Sequence, residues 1–475
     1  MGNRRLSRGL PGVGRDVDGG RLRRRVPAAA RVALICCAVL LLACPASAGD
    51  AAEAPAASPK IDTGDTAWVL VAAALVMLMT PGLAFFYGGL VRKKNILSVL
   101  MQCLMILCLV SVQWALLGYS LAFGPDRGGI IGGLDWACLR GVGPQPNPDY
   151  AATIPHSTFM VFQMMFAVIT PALIIGAFAE RMKFSAFCMF SLLWATLVYD
   201  PLAHWVWGKG GFLGLLGGWG ALDFAGGTVV HINAGLSALA AAMLLGRRQG
   251  YPNGISPPHN LPLAVLGAAM LWFGWFGFNA GSALGAGGLA SGAFVATHIA
   301  ASVAGVSWAL LDWWLHKKPT TLGMITGAVA GLVAITPAAG FVDLFGAIAI
   351  GVGAAALPWL AVTFLKSRLG YDDTLDAFGV HGIGGIWGAV ATGLFASAAA
   401  NPGVGRNGLF YGAGGAAQLL TQIKAVGITV VFSFVMAVIL FRVVDVLIGL
   451  RVSDHAERVG LDLTQHKEAG YTVID

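Results

Sequence analysis

The chain alternates between long apolar runs and short polar connections. About 20 apolar residues cross a hydrocarbon core about 30 Å thick, and eleven runs approach or exceed that length. The connections are short except for residues 124–157, which are rich in glycine and proline. The pattern therefore predicts an all-α integral membrane protein with eleven transmembrane helices, which cover approximately residues 67–91, 97–123, 158–179, 184–207, 226–246, 261–282, 289–315, 320–337, 344–365, 376–397 and 418–449.

Composition agrees with this pattern. The chain is 57% hydrophobic and 11% charged, whereas soluble domains carry about 25% charged residues. Its 66 glycines favour closely packed membrane helices, in which small residues let backbones approach. The net charge of +7 comes largely from the basic N-terminus and the loops. It therefore predicts no nucleic-acid partner.

The N-terminus has the features of a targeting segment. Residues 21–31 are basic, residues 32–43 are apolar but too short to span a membrane, and residues 46–48 form a small-residue cleavage site. Residues 41–44 also weakly resemble a lipoprotein processing site. We predict a basic region and signal peptide that is removed (1–48), a short extracytoplasmic N-terminus (49–66), an eleven-helix domain (67–450) and a cytoplasmic tail (451–475).

The distribution of basic residues predicts the orientation. The loops that follow odd-numbered spans contain eleven Lys and Arg residues, and we count five after even-numbered spans, including Lys424. Because basic loops stay in the cytoplasm, the odd-numbered loops are predicted to be cytoplasmic. The mature N-terminus is then outside and the C-terminus is inside.

Two similar Asp–His pairs stand at the start of the fifth and tenth spans. His231 follows Asp223 by eight residues, and His381 follows Asp373 by eight residues. Eight helical residues place each histidine about 12 Å beyond its aspartate, close to the middle of the membrane. The two spans have opposite predicted directions. This arrangement predicts a five-plus-five inverted-topology repeat with a pore within each subunit, although a single buried histidine is more often structural.

The candidate residues leave several roles open. The two histidines have no third metal ligand at the same depth, and none of the nine histidines begins a His-Glu-x-x-His motif, so we expect no metal or cofactor. Asp223 either caps the following glycine turn or contacts a cation, and Asp373 is interpreted similarly. The aromatic residues of 272–282 either bind a cation or pack the core.

Three motifs resemble the signatures of the ammonium transporter family (Amt/Mep/Rhesus), specifically its bacterial ammonium-transporter branch. They are Asp223-Phe-Ala-Gly-Gly-Thr-Val-Val-His231, Trp275-Phe-Gly-Phe-Asn-Ala-Gly-Ser282 and Phe378-Gly-Val-His-Gly382. The resemblance runs from about residue 65 to the C-terminus. It implies a homotrimer of eleven-helix subunits in the bacterial cytoplasmic (inner) membrane, surrounded by lipid. Each subunit has its own pore, and the protein is not an enzyme.

The resemblance also implies roles for individual residues. It implies an outer ammonium site, with methylammonium as the substrate analogue, at Phe166, Trp207, Trp275 and Ser282, with Tyr199 on its rim. It implies a phenyl gate of Phe166 and Phe278, and a pore pair of His231 and His381. Asp223 and Asp373 would then give structural and electrostatic support. Asp200 departs from the family pattern and is expected to strengthen cation attraction at the mouth.

The C-terminal tail resembles the family segment that couples subunits and docks P-II-type nitrogen-signalling proteins. The similar residues are 457–462 and 466–468, with Lys467 at a position where bacterial relatives commonly have glycine. The expected function is ammonium uptake, in which ammonium binds outside, loses its proton and passes the histidines as ammonia. The alternatives are a passive ammonia gas channel, an ammonium sensor that signals through its tail and, less well supported, a membrane metalloenzyme.

Overall fold

The computed structural model describes residues 60–254 and 257–471. Within them, apolar sequence forms eleven helices that match the eleven predicted runs in order. In chain order, α1 to α11 are Thr63–Leu90, Lys93–Phe123, His156–Phe178, Phe184–Trp207, Gly227–Leu245, Leu261–Ala280, Gly288–His316, Thr321–Ile335, Leu344–Leu369, Phe378–Phe395 and Gly415–Ile448.

Ten of these helices are long and apolar enough to cross a membrane. The exception is α8, which has 15 residues because the chain leaves the helix after Ile335 and turns through Thr336 to Phe341. The eleven predicted runs therefore all became apolar helices, but one is shorter than a full span. Large apolar side chains face outwards on the long helices, and Val446 is 87% exposed. Such side chains suit contact with lipid.

Corresponding helices of the two halves pack against each other. The first helices of each half, α1 and α6, are in contact, and so are the last, α5 and α10. Glycines permit the close approach: a Cβ on Gly267 of α6 would overlap the backbone nitrogen of Phe86 in α1. This pairing is the arrangement that a five-plus-five inverted repeat predicts.

The long connection after α2 contains two small hairpins. The first pairs β1 (Asp126–Arg127) with β2 (Ile131–Gly132), and the second pairs β3 (Pro146–Asn147) with β4 (Ala151–Pro155). We call the end of the molecule that carries this connection the loop side.

One sequence assignment was wrong. Lys424 was counted as a loop residue after the tenth span, but it lies inside α11.

The C-terminal segment folds back against the opposite end, which we call the tail side. It contains a short helix, α12 (Asp454–Val459), followed by a π-helical turn at Asp462–His466. The Asp462 carboxylate accepts hydrogen bonds from the backbone N–H groups of Leu97 (3.1 Å) and Ser98 (2.8 Å). The tail therefore caps the start of α2. The predicted signal peptide, 1–48, lies outside the described residues.

Candidate functional site

Three cavities follow one another from the loop side to the tail side. The loop-side cavity has a volume of about 210 Å³ and the tail-side cavity about 310 Å³. Between them lies a central cavity of about 10 Å³, close to the minimum that holds one water-sized molecule. Phe166 lines the loop-side cavity and touches the ring of Phe278, which lines the central cavity, while His381 lines both the central and the tail-side cavities.

The loop-side cavity brings together several of the predicted outer-site residues. Phe166, Trp207 and Ser282 line it, and so does Asp223. The indole N–H of Trp207 donates to the backbone carbonyl of Asp223 at 2.8 Å, and the Ser282 hydroxyl donates to the Phe278 carbonyl at 2.9 Å. Phe166 meets Trp207 edge to face, with ring centroids 5.9 Å apart. The cavity thus combines aromatic rings, a hydroxyl and a carboxylate, a set suited to a small cation.

Gln163 also lines the loop-side cavity, and the functional roles assigned from the sequence did not include it. Its Oε1 atom is buried and accepts no hydrogen bond from any residue that the structure describes. A free acceptor in this position suits a donor such as ammonium or water. In the sequence, Gln163 lies three residues before the predicted site residue Phe166, which puts both on the same face of α3.

Two phenyl rings separate the loop-side cavity from the central cavity. The ring centroids of Phe166 and Phe278 are 4.3 Å apart with an interplanar angle of 33°. Phe162 packs behind Phe166, with centroids 5.0 Å apart. The pair closes the path in this structure, so a solute passes only if the rings move.

The central cavity holds the two histidines in an otherwise apolar lining. The Nδ1 atoms of His231 and His381 are 3.3 Å apart and the two rings are nearly parallel, with an interplanar angle of 17°. Its other lining residues are Met79, Leu83, Phe86, Ile169, Leu173, Val230, Leu271, Trp275, Phe278 and Val329. His231 Nε2 is buried and has no hydrogen-bond partner among the described residues. The pair therefore offers a donor and acceptor set where the rest of the path is apolar.

Local backbone geometry places these side chains. His231 and His381 lie on six-residue π-helical turns, Gly227–Ile232 and Phe378–Ile383, and Phe278 lies on the turn Phe276–Ala280. Such turns are rare and often occur at functional positions.

Glycines at the crossing of α5 and α10 bring the two histidines together. A Cβ on Gly235 would overlap the backbone of Gly382, and one on Gly385 would lie 3.0 Å from His231 Cβ. Residues with side chains would push the two helices apart at this point. The glycines therefore determine the separation of the imidazoles.

The two aspartates cap the turns that carry the histidines. Asp223 Oδ1 accepts from the N–H groups of Gly226 (2.7 Å) and Gly227 (2.6 Å), and its Oδ2 accepts from the N–H of Thr228 (2.8 Å). Asp373 accepts from Ala377 N at 3.1 Å and, through its other oxygen, from Phe378 N at 2.8 Å. This is the capping geometry expected from the sequence. Asp223 also lines the loop-side cavity, so its charge acts there as well.

The structure places three residues predicted at or near the outer site away from the lining of the loop-side cavity. Trp275 lies one layer deeper: its indole N–H donates to the Thr336 hydroxyl at 2.9 Å, and its ring stacks on His231 at 5.5 Å. Tyr199 ends a π-helical turn and is buried beside Trp114, away from the cavity lining.

Asp200 is the third. It is fully buried and accepts from the Gln113 amide at 2.8 Å, and it lines none of the three cavities. The π-helical turn Ala195–Tyr199 precedes it. This turn changes the direction of the side chains that follow.

A network of charged residues lies at the tail side. Glu180 pairs with Arg92 at 3.0 Å and Arg248 at 3.3 Å, and Arg248 also pairs with Asp372 at 2.8 Å. Burial disfavours the charged Glu180 carboxylate, but attraction to the two arginines outweighs it and holds the pKa of Glu180 below its usual value. Asn95 donates to Glu180 at 3.0 Å and accepts from the tail residue Leu461 at 2.8 Å. The tail is thus hydrogen-bonded to the residues around the tail-side cavity.

The described residues contain no group of three or more His, Cys, Asp or Glu side chains arranged to hold a metal ion. The histidine pair has aromatic and aliphatic neighbours instead of further ligands. The residues that line the path can form hydrogen bonds, make cation–π contacts and transfer protons.

Comparisons with known proteins identify the family. Residues 67–471 match the Ammonium Transporter Family. The ammonium transporter of Bacillus subtilis is 53% identical over 408 residues, which cover 86% of this chain and 98% of that protein. Similarity at this level over nearly the whole length indicates a common architecture.

Solved structures agree. Mep2 of Saccharomyces cerevisiae superposes with a TM-score of 0.75 at 37% identity, covering 83% of this chain and 89% of that one. A structure described as a sensor Amt protein has a TM-score of 0.75 at 30% identity, covering 85% and 98%. The chain belongs to the ammonium transporter family and is a membrane transporter, not an enzyme.

Proposed function

We propose that this ammonium transporter binds ammonium in the loop-side cavity, removes a proton there, and passes ammonia through the histidine-lined central cavity. The observation that carries the proposal is the His231–His381 pair, which lies in an apolar cavity of about 10 Å³ behind two stacked phenyl rings. A neutral molecule that both donates and accepts hydrogen bonds suits this cavity, and a hydrated ion does not fit.

The loop-side cavity supports recruitment of the cation. Its aromatic rings, Phe166 and Trp207, present π surfaces to a cation, which contribute about 0.5–2 kcal/mol each. The Asp223 charge raises the local cation concentration, and Ser282 and Gln163 supply oxygen acceptors. Trp275 lies one layer deeper and forms the wall on which His231 stacks.

Energetics favour ammonia over ammonium in the central cavity. Moving an intact ion into an apolar constriction costs several kcal/mol even after relaxation of the surroundings. Ammonium avoids this cost by giving its proton to water in the loop-side cavity, whereas potassium ion has no proton to lose. The proton then either crosses separately, with the histidine pair as its carrier, or returns to the loop side.

The chain's setting in the membrane completes the proposal. We place the loop side outside the bacterial cytoplasmic membrane and the tail side in the cytoplasm, because basic residues cluster in the tail-side loops. Family membership supports a homotrimer with one pore per subunit. The hydrogen bonds between Leu461 and Asn95 and between Asp462 and α2 support a tail that responds to a P-II-type partner.

Uptake of radiolabelled methylammonium by proteoliposomes tests the proposal. We expect saturable uptake that ammonium inhibits and potassium does not, and a higher KM after Trp207→Leu. Ser291→Ala, on an exposed position of α7 outside the three cavities, is the matched control. Saturable ammonium binding without any uptake would instead favour a sensor, the role named for one of the related structures.

A further inference from the structure

The tail-side cavity contains one more acidic side chain than it has cationic ones. Its charged lining residues are Arg92, Glu180, Arg248, Asp312 and Asp376. The arginines pair with Glu180, and Arg248 also pairs with Asp372, which does not line the cavity. Asp376 pairs at 2.7 Å with Lys366, and Lys366 does not line the cavity. Counting Asp372 and Lys366 as well adds one acid and one cation, so the excess of one acid remains. Asp312 is the acid that has no cationic partner among the described residues.

Asp312 has no ionic partner anywhere in residues 60–254 and 257–471, although its side chain is buried near the tail-side end of α7. Its Oδ1 accepts from the Trp359 indole N–H at 3.0 Å, and its Oδ2 accepts from the Thr320 hydroxyl at 2.6 Å. Both donors are neutral. A carboxylate can accept about four hydrogen bonds, so about half of its capacity is free. A buried carboxylate without a counter-ion attracts a cation.

The surroundings of Asp312 are aromatic. Trp308 and Trp359 line the same cavity, and so does Tyr87. Gly323 of α8 lets the backbone come close: a Cβ there would overlap Asp312 Oδ2 and lie 2.9 Å from Trp308 Cδ1. Three helices, α7, α8 and α9, therefore build this corner. It combines a carboxylate with indole rings, which is the chemistry that binds small alkylammonium cations.

The corner lies on the exit path from the histidine pair. His381 lines both the central cavity and the tail-side cavity, and Asp312 lines the latter. A solute that leaves His381 towards the tail side therefore enters the cavity that Asp312 faces. A cation that arrives from the tail side reaches the same cavity before it meets the histidines.

We propose that Asp312, with Trp308 and Trp359, forms a tail-side binding site for a monovalent ammonium-type cation. This inference rests on the proposed function, in which ammonia takes up a proton after it leaves the histidine pair. The site holds the resulting cation before release and is the first binding site for transport that begins on the tail side. It therefore sets the apparent affinity in that direction and leaves the affinity of uptake from the loop side unchanged.

A purely structural role is the competing explanation. Thr320 caps α8 by accepting from Gly323 N at 2.8 Å, and Asp312 accepts from the same hydroxyl. If Asp312 served only to hold this cap, loss of either partner would have the same effect. Thr320→Val removes the hydroxyl and keeps the Asp312 charge, so it is the matched control.

The experiment measures methylammonium uptake by membrane vesicles of both orientations, prepared from cells that express the full chain. Protease access to the C-terminal segment identifies the vesicles whose tail side faces the medium. For Asp312→Asn we expect the KM from the tail side to rise about tenfold, the loss of one charge-assisted contact. In Asp312→Asn, the KM measured from the loop side stays within twofold of the wild-type value. In Thr320→Val, the KM values from both sides stay within twofold of wild type.

Several results would overturn the tail-side site. They are an equal KM change from both sides, no change from either side, or the same change in Thr320→Val as in Asp312→Asn. If Asp312→Asn does not reach the membrane, Asp312→Glu replaces it: a KM change confined to the tail side supports the site, and unchanged KM values contradict it. Absence of saturable wild-type uptake in both orientations would instead contradict the proposed function.

Discussion

The Nδ1 atoms of His231 and His381 lie 3.3 Å apart although 150 residues separate them in the chain. Only one of the two nitrogens can carry the shared hydrogen, so one imidazole donates while the other accepts. Two protonated rings at this distance would place like charges in an apolar cavity, which is strongly unfavourable. The pair therefore holds at most one extra proton, and it can present a donor or an acceptor to a passing molecule.

Replacing both histidines tests this role. In His231→Ala/His381→Ala, the apolar path loses its hydrogen-bonding groups and gains volume. We expect ammonium-selective flux to fall by at least about tenfold, since each lost hydrogen bond costs about 1 kcal/mol. The measurement is methylammonium uptake together with a potassium flux assay.

His298→Ala is the matched control for the double variant. His298 also lies in a membrane helix, α7, but it packs on Trp272 and Phe276 and lines none of the three cavities. Wild-type flux is expected in this variant. Unchanged flux with continued potassium exclusion in the double variant would refute the role assigned to the pair.

The glycine crossing between α5 and α10 gives a second prediction. Gly235→Ala places a Cβ into the backbone of Gly382, so the helices separate and His381 moves away from His231. Overpacking of this kind costs about 1–3 kcal/mol. We expect a lower melting temperature in detergent and reduced transport.

Gly427→Ala provides the comparison. Gly427 is exposed on α11, and a Cβ there meets nothing within 4 Å. Alanine is favoured over glycine in a helix by about 0.5–1 kcal/mol, so the melting temperature should stay the same or rise. Equal destabilisation by the two substitutions would show that the close crossing is not the cause.

The Glu180 network predicts a stability that depends on pH. The pKa of Glu180 is lowered in the folded protein from its usual value of 4.5, since Arg92 and Arg248 outweigh the effect of burial. Such a group stabilises the fold fully above the usual value, and the contribution is lost as the pH falls through the lowered value. We expect the melting temperature to be level near neutral pH and to fall below about pH 4.5.

Glu180→Gln isolates the contribution of this carboxylate. Among the described residues, the substitution leaves Arg92 without an ion-pair partner and Arg248 with Asp372 alone, and breaking a buried pair in this way costs about 3–5 kcal/mol. The variant should be less stable at neutral pH, and the difference from wild type should shrink as the solution becomes acidic. A difference that stays constant from neutral pH to pH 3 would show that the Glu180 charge is not responsible.

The tail contains a strained residue. Lys467 has a φ of +58°, in the left-handed region that side chains disfavour by about 1 kcal/mol. Lys467→Gly should relieve this strain, so the tail binds more firmly to the rest of the protein. The backbone N–H groups of Leu97 and Ser98, which donate to the Asp462 carboxylate, should then exchange their hydrogens more slowly.

Lys317→Gly is the control for the tail, since Lys317 has a φ of +63° but ends α7 outside the tail. It should leave exchange at Leu97 and Ser98 unchanged. Faster exchange in Lys467→Gly would contradict the strain argument. It would show that the greater flexibility of the undocked tail with glycine outweighs the strain relieved at residue 467.

Much of the architecture was predictable from the sequence. Helix positions follow from hydrophobic length, because a membrane requires every backbone group to be bonded within the segment. The proximity of His231 and His381 follows from equal Asp–His spacing in two spans of opposite direction. The cap at Asp223 follows from an acid before paired glycines.

Other features depend on tertiary contacts that sequence does not contain. Trp275 donates a hydrogen bond to Thr336, 61 residues away, and stacks on His231, and its place in the motif does not reveal these contacts. Tyr199 ends a π-helical turn and Asp200 follows it, and the turn changes the direction in which these side chains point. In the sequence, Asp312 is one acid near a helix end, and only the ion pairs around the tail-side cavity show that it lacks a cation among the described residues.

The measurement that tests the central claim most directly is the current evoked by ammonium and by potassium in proteoliposomes across a range of pH. If ammonium is deprotonated and its proton crosses separately, ammonium evokes currents and potassium does not. In His231→Ala/His381→Ala this selectivity is lost. Internal pH changes without any current would contradict separate proton movement and favour a gas channel, and equal currents from ammonium and potassium would contradict deprotonation.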